Sequence, residues 1–93
     1  MIKVIIERFI ADDMAALYDA TIKESLKDIL ETPGYIKGAS YRDAKNPNHR
    51  FIITDWLSEA AWQKWATSAE RRNSMSAIKA ILESEEKITI LRH

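Results

Sequence analysis

The 93 residues carry 14 basic and 14 acidic side chains, and 46% of the residues are apolar. This length and balance predict one folded domain over residues 1–93, and a chain with no net charge or basic run argues against nucleic acid or an anionic membrane surface as a partner. Because there is no cysteine, disulfides, thiolate metal sites and cysteine nucleophiles are excluded.

The N-terminal residues do not read as a targeting signal. Lys3, Glu7 and Arg8 place charge inside the first apolar run, which is too early for a signal peptide. No other apolar run approaches the roughly eighteen residues of a membrane span. We therefore expect a cytoplasmic protein that does not cross a membrane.

Residues 2–10 predict a first strand, because they are rich in β-branched side chains. Both parities of this strand contain apolar residues, with Ile2, Val4, Ile6 and Ile10 on one and Ile5 and Phe9 on the other. A chain this short cannot cover both faces of a sheet, so we expect a second subunit to cover one of them. The strand therefore predicts a homodimer.

A first helix should follow, with Asp12 and Asp13 as capping residues. Its apolar positions recur at helical spacing, at Met14, Leu17, Tyr18, Ile22, Leu26, Ile29 and Leu30. The helix should end before Pro33, because the residue that precedes a proline is disfavoured in the α region. Residues 35–42 and 50–57 then predict two strands of a hairpin, joined by a polar loop that contains His49.

All three tryptophans lie within ten positions, from Trp56 to Trp65. Ser58 is a good N-cap residue, so a second helix should begin there. Trp62 and Trp65 would share one face of that helix with alanines, which leaves room for a large ring beside the indoles. The alternative is that the indoles simply fill a small core.

The polar residues 70–73 interrupt the helical pattern and predict a break near Arg71, followed by a third helix and a last strand over residues 87–92. The order βαββααβ matches an α+β, ferredoxin-like sandwich with an antiparallel sheet. Helices would cover one face of this sheet. The other face would pack on a partner's sheet and form a dimeric α+β barrel.

Thr-Pro-Gly-Tyr follows the first helix at residues 32–35, and Ser-Glu-Ala follows the strand-end Trp56 at residues 58–60. In these features, and over essentially its whole length, the chain resembles the antibiotic biosynthesis monooxygenase-like family. The resemblance implies a dimeric barrel with a cavity in each subunit between the sheet and the helices. It also implies one of two chemistries, cofactor-free oxidation of phenols or quinols to quinones, or haem degradation.

The residues that carry those chemistries in the family are largely replaced here. The quinone-forming members have an Asn where this chain has Ile52, a Tyr where it has Trp62, and a later Arg that falls near Ser76. The axial His of the haem-degrading members falls on Met75, and neither His49 nor His93 is well placed to replace it. We therefore expect no haem degradation, no metal site and no cofactor.

Glu7 is the sharpest catalytic candidate, because a carboxylate on a strand face shared with Ile5 and Phe9 would be desolvated and so become a stronger base. It could deprotonate a phenol that then reacts with oxygen, or it could pair with a Lys or Arg of a neighbouring strand. The candidates for substrate binding are Trp56, Trp62, Trp65, Arg71 and Arg72. The indoles would stack on a ring, and the guanidinium groups would hold a carboxylate or phenolate or remain in solvent.

Two functions remain open. The first is a cofactor-independent monooxygenase that acts on a small aromatic or quinol-type compound, which the retained tryptophans favour. The second is a non-catalytic small-molecule-binding or accessory domain on the same fold, which the missing Asn, Arg and His favour.

Overall fold

A computed structural model describes all 93 residues. The elements are β1 (Ile2–Phe9), α1 (Ala15–Leu30), β2 (Tyr35–Arg42), β3 (His49–Trp56), α2 (Glu59–Ala66), α3 (Ala69–Lys79) and β4 (Lys87–Arg92). The strands form one antiparallel sheet in the order β2-β3-β1-β4. This arrangement confirms the predicted ferredoxin-like α+β fold.

Residues alternate between the two faces of the sheet along β1. Ile2, Val4 and Ile6 are buried beneath the helices. Ile5 and Phe9 lie on the opposite face and stay partly exposed. The central strand therefore has two apolar faces, of which this chain buries one completely.

The three helices pack on one face of the sheet and enclose the core with it. Trp56, at the end of β3, is fully buried in that core. Its ring meets Trp62 of α2 edge-on, with 5.6 Å between ring centroids, and meets Tyr35 of β2 at 5.4 Å. None of the helices combines the length and apolar character that crossing a bilayer requires.

The face without helices, called here the uncovered face, carries a row of aromatic rings. Phe9 stacks on His49 with 4.1 Å between ring centroids, and His49 lies 4.5 Å from Phe51. His49, predicted to lie in the hairpin loop, is the first residue of β3. Its pairing with Phe9 across the two strands brings these rings together.

The start of α1 differs from the prediction. Met14 is the N-cap residue and makes no side-chain capping hydrogen bond. Asp13 has a φ of 66°, in the left-handed region, and Asp12 accepts a long 3.4 Å hydrogen bond from the Asn48 side chain. The predicted aspartate caps are wrong, because a turn at Asp13 places both side chains ahead of the helix.

The break after the tryptophan helix also lies elsewhere than predicted. Only Thr67 and Ser68 separate α2 from α3, so Arg71 lies inside the first turn of α3. The Ser68 hydroxyl donates to the Trp65 carbonyl at 2.7 Å and accepts from the Arg71 N–H at 3.1 Å. One side chain thus closes α2 and caps α3, which places the break before the polar run and not within it.

At the start of α2 the predicted cap is confirmed. The Ser58 hydroxyl accepts a 3.1 Å hydrogen bond from the backbone N–H of Ala61. Glu59 adds negative charge in the first turn, where the helix dipole favours it. This cap fixes where α2 begins, and therefore where the indoles of Trp62 and Trp65 lie.

Candidate functional site

A cavity of about 50 Å³, called here the inner cavity, lies between the covered face of the sheet and the helices. Most of its lining side chains are apolar. Ile6 and Arg8 reach it from β1, Trp62 and Trp65 from α2, and Arg71 from α3. Every layer of the fold therefore contributes to its wall.

A second space of about 40 Å³ lies beside the inner cavity, toward β2. The two share Ile22 and Leu26 of α1 and Ile52 of β3 as lining residues. Small-molecule sites typically measure about 300–1,000 Å³. The interior is thus filled largely by its own side chains, and an aromatic ligand enters only if some of them move.

Arg8 is the most unusual residue of the cavity wall, because it is a charged side chain that is only 3% exposed. Its Nε donates to Glu86 Oε2 at 2.9 Å. Its Nη1 donates to the Tyr18 hydroxyl at 3.1 Å, and its Nη2 makes a 3.3 Å contact with Met75 Sδ. Each of its three nitrogens therefore has a partner, as a buried guanidinium requires.

Glu86 joins Arg8 to a second guanidinium, since its Oε1 accepts from Arg71 Nη2 at 2.6 Å. Burial alone would raise the pKa of the Glu86 carboxyl, but the hydrogen bonds and charges of Arg71 and Arg8 outweigh it and hold this pKa below its usual value. Glu86 is therefore ionised at neutral pH. Two guanidinium charges against one carboxylate leave this cluster with one net positive charge.

Arg71 also lies beside an indole. Its guanidinium carbon is 5.9 Å from the centroid of the Trp62 ring, within the range of a cation–π contact. The wall of the inner cavity thus combines an aromatic surface with cationic hydrogen-bond donors. Such a wall can hold the ring of a ligand and an anionic oxygen attached to that ring.

A second buried arginine, Arg50, lies near this cluster, on the other side of the Tyr18 ring. Tyr18 lies between two guanidinium groups. The centroid of its ring is 5.9 Å from the guanidinium carbon of Arg8 and 5.5 Å from that of Arg50. Arg50 is neutralised by an ion pair with Asp19. The uncompensated positive charge therefore belongs to the cluster at the cavity and not to Arg50.

Three of the predicted substrate-binding residues, Trp62, Trp65 and Arg71, line the inner cavity. Trp56 does not, because it lies in the core behind Trp62, where its indole N–H donates to the Thr54 hydroxyl at 3.0 Å. Arg72 does not either. It is exposed, and its guanidinium contacts the backbone carbonyl that ends α2 at 3.3 Å.

Glu7, the predicted catalytic base, lies on the uncovered face and does not line the inner cavity. Its Oε2 is 2.6 Å from His49 Nε2, and the other nitrogen of that ring is 3.4 Å from Asp43. Glu7 thus pairs with an imidazole instead of the Lys or Arg expected as its partner. Its catalytic role stays a prediction, one that requires a ligand on the uncovered face, and turnover by a Glu7→Gln variant tests it.

Sequence reasoning missed Arg8 and Glu86. Arg8 has the same parity along β1 as Ile2, Val4 and Ile6, so the alternation predicted that all four lie on one face of the sheet. For Glu86 there was no such signal. It lies 78 positions from Arg8 along the chain, in a segment outside the helices and strands.

The interior does not fit haem. The side chains that line the inner cavity include no imidazole, and Met75, which stands where the family's axial His falls, directs its sulfur at Arg8. A space of about 50 Å³ is also far smaller than a macrocycle requires. No three His, Asp or Glu side chains lie close enough together to hold a metal ion.

The sequence profile of the antibiotic biosynthesis monooxygenase family matches residues 1–85. The chain therefore belongs to this family, which confirms the resemblance found from the sequence. No curated protein matches the chain in sequence.

Solved structures share the fold at low sequence identity. An antibiotic biosynthesis monooxygenase is 19% identical with a TM-score of 0.90, over 100% of this chain and 98% of that one. A conserved protein from Methanosarcina mazei Go1 is 19% identical with a TM-score of 0.90, over 98% and 90%. SnoaB, a cofactor-independent oxygenase from Streptomyces nogalater, is 16% identical with a TM-score of 0.81, over 99% and 94%. At these identities the likeness establishes the fold alone.

Proposed function

We propose that this protein is a cofactor-independent monooxygenase that acts on a small hydroxylated aromatic compound bound between the sheet and the helices. The observation that carries the proposal is the wall of the inner cavity, where Trp62 and Trp65 stand beside the guanidinium groups of Arg8 and Arg71. Membership of the family supports it. SnoaB, a protein of the same fold, is a cofactor-independent oxygenase.

The cavity residues suggest how such a reaction would begin. Guanidinium groups favour the charged form of a neighbouring acid, so Arg8 and Arg71 would lower the pKa of a bound phenol and hold it as phenolate. No carboxylate or imidazole lines the inner cavity to take the proton. The phenol, made more acidic by the two arginines, would therefore release its proton to solvent, and the phenolate would be the electron-rich ring that reacts with oxygen.

The overall reaction balances without a cofactor. A phenol loses its O–H hydrogen and one ring C–H hydrogen, and both leave in water with one atom of molecular oxygen. The second oxygen atom becomes the new carbonyl of the quinone. Oxygen is reduced and the ring is oxidised, so no further reductant is required.

A non-catalytic binding or accessory domain is the second candidate function. The lack of a carboxylate or imidazole among the residues that line the inner cavity favours it, because general bases are usually one of these groups. The same cationic wall would then serve recognition only.

We further propose that the protein is a homodimer that pairs its uncovered faces. Phe9, Phe51 and Tyr41 place aromatic rings on this face, and Tyr41 is 54% exposed. Exposed apolar patches of this kind commonly mark protein interfaces.

Two measurements on the same samples distinguish the oxygenase from the binding domain. The first is quenching of tryptophan fluorescence by a panel of phenols and quinols, since two indoles line the inner cavity. The second is oxygen uptake with each compound that quenches. Saturable quenching with oxygen uptake supports the oxygenase, and quenching without uptake supports the binding domain. Absence of quenching by every compound would contradict both the oxygenase and the binding domain, and would favour an accessory domain in which the indoles are packed core.

A further inference from the structure

A larger space, called here the outer cavity, lies at the edge between α3 and β4. It measures about 450 Å³, within the range typical of small-molecule sites. Met75, Leu82 and Ile88 form its apolar wall. Because Met75 also lines the inner cavity, the two spaces are neighbours.

Glu86 stands between these two spaces. It lines the outer cavity, while both of its carboxylate oxygens are bound to arginines that line the inner cavity. The distances are 2.9 Å to Arg8 and 2.6 Å to Arg71. The side chains of this trio are between 4% and 14% exposed, so the ion pairs form a partition of low solvent access.

The partition is suited to exchange of one anion for another. Its net charge is positive, and the other charged residues that line the outer cavity, Lys79 and Glu85, balance each other. An uncompensated buried charge is costly, so the net positive charge would attract a second anion to this point, where it would compete with Glu86 for the two guanidinium groups. Glu86 belongs to residues 83–86, outside the helices and strands, so its carboxylate can move outward without breaking a helix or strand.

We propose that Glu86 is a displaceable internal counterion. An aromatic monoanion enters through the outer cavity, replaces the Glu86 carboxylate on Arg8 and Arg71, and thereby joins the two cavities into one site. The inference rests on the proposed ligand site and adds its ligand class, an aromatic carboxylate or phenolate with one negative charge. A neutral ring lacks the group that would replace Glu86. No covalent bond forms or breaks in the exchange.

The test uses binding and not turnover, so a failure of the oxygenase proposal would leave it intact. The probes are 1-naphthoate and its neutral analogue 1-naphthamide. The binding of each is measured at pH 7 by the quenching of tryptophan fluorescence. The wild-type protein is expected to bind the naphthoate at least about tenfold more tightly, since hydrogen bonds to charged groups are worth more than neutral ones. Equal affinity for the two probes would overturn the proposal.

The decisive variant is Glu86→Gln, which removes the competing charge but keeps the side-chain shape. Affinity for 1-naphthoate should rise by about tenfold, and affinity for 1-naphthamide should stay the same. Glu83→Gln is the matched control, because Glu83 lies in the same segment but is exposed and does not line the outer cavity. An unchanged or weaker affinity of a folded Glu86→Gln protein for naphthoate would contradict the exchange.

A second variant covers the case in which Glu86→Gln fails to fold with two unneutralised arginines. Glu86→Asp keeps the charge and shortens the side chain by one methylene, so it should weaken the contact with the arginines without leaving them unpaired. The affinity of Glu86→Asp for naphthoate should be higher than that of wild type, by less than the roughly tenfold expected for Glu86→Gln. No increase over wild type would again overturn the proposal.

Discussion

At the scale of single residues, two adjacent arginines have opposite environments. Arg71 lines the inner cavity and binds Glu86, whereas Arg72 is exposed. Successive residues of a helix are separated by about 100° around its axis, so neighbours in sequence face different directions. The Ser68 cap fixes where α3 begins and therefore decides which of the two arginines turns inward.

Substitutions of Arg71 and Arg72 can therefore be compared directly, with Arg72 as the control. Arg71→Ala removes a cation from the cavity wall, and we expect it to weaken 1-naphthoate binding by about tenfold or more. Arg72→Ala should change this affinity by less than about twofold, because Arg72 does not line the cavity. Fluorescence titration, with circular dichroism to verify folding, makes the comparison. Equal losses in both variants would argue against a cavity role that is particular to Arg71.

The Glu86 carboxyl also predicts how stability depends on pH. Its folded-state pKa is lowered, so its contribution to the free energy of unfolding is fully present above the usual pKa of 4.5 and is lost as the pH falls through the lower folded-state value. Urea unfolding measured from about pH 6 to pH 3 should show that this contribution is constant above about pH 4.5 and is lost below it. Glu86→Gln should reduce the slope. An identical slope in wild type and variant would contradict the assignment of this carboxyl as a buried ionised group.

At the scale of elements, the connection between α1 and β2 is set by Gly34. Its φ is 87°, in the left-handed region that glycine adopts without steric cost. A Cβ atom at this position would lie only 2.4 Å from the Cβ of Ala61 in α2. The backbone carbonyl of Gly34 also accepts from the N–H of Leu57 at 2.9 Å, so the turn before β2 is bonded to the segment that leads from β3 into α2.

We therefore expect Gly34→Ala to lower the free energy of unfolding by about 2–4 kcal/mol, from backbone strain and from the contact with Ala61. Chemical denaturation measures the change. The double variant Gly34→Ala/Ala61→Gly removes the contact but not the strain. Compared with the two single variants in a double-mutant cycle, it should show a favourable coupling. A coupling of zero would mean that the two positions do not meet.

At the scale of the whole molecule, the sheet separates two environments. The covered face holds the core and the cation cluster, whereas the uncovered face combines aromatic rings with charged pairs, among them Lys3 and Asp55 at 2.8 Å. Ile53 lies near the middle of this face, between Ile5 and Ala39 in the strand register. An apolar patch with charged residues around it is the usual composition of an interface.

The proposed homodimer predicts a molar mass of twice the 10.7 kDa of one chain, measured by light scattering at micromolar concentration. Ile53→Asp should convert the protein to a monomer, because it would bury a charge in the interface while remaining partly exposed in the free chain. Leu17→Asp is the control, since Leu17 is 53% exposed on α1, away from the sheet. A wild-type monomer, or a dimer that survives Ile53→Asp, would count against pairing through this face.

The amino-acid sequence by itself determined the order of the elements. Alternation along residues 2–10, the helical spacing after residue 14, and the Pro33-Gly34 turn are local patterns, and local patterns specify local structure. β2 and β4 have their predicted bounds, β3 begins and ends one residue earlier than predicted, and β1 ends one residue earlier. The cap of α1 and the break predicted near Arg71 were misplaced because both depend on backbone turns that residue types alone left ambiguous.

Only the tertiary structure decided the site. Parity along β1 separates Glu7 from Arg8 but does not reveal which face the helices cover, and this determines that Arg8 and not Glu7 lines the inner cavity. The bond between Arg8 and Glu86 joins positions 78 apart, where the end of β1 lies beside the residue that precedes its neighbouring strand β4. Contacts so distant in sequence arise from chain topology and burial, and no short-range pattern encodes them.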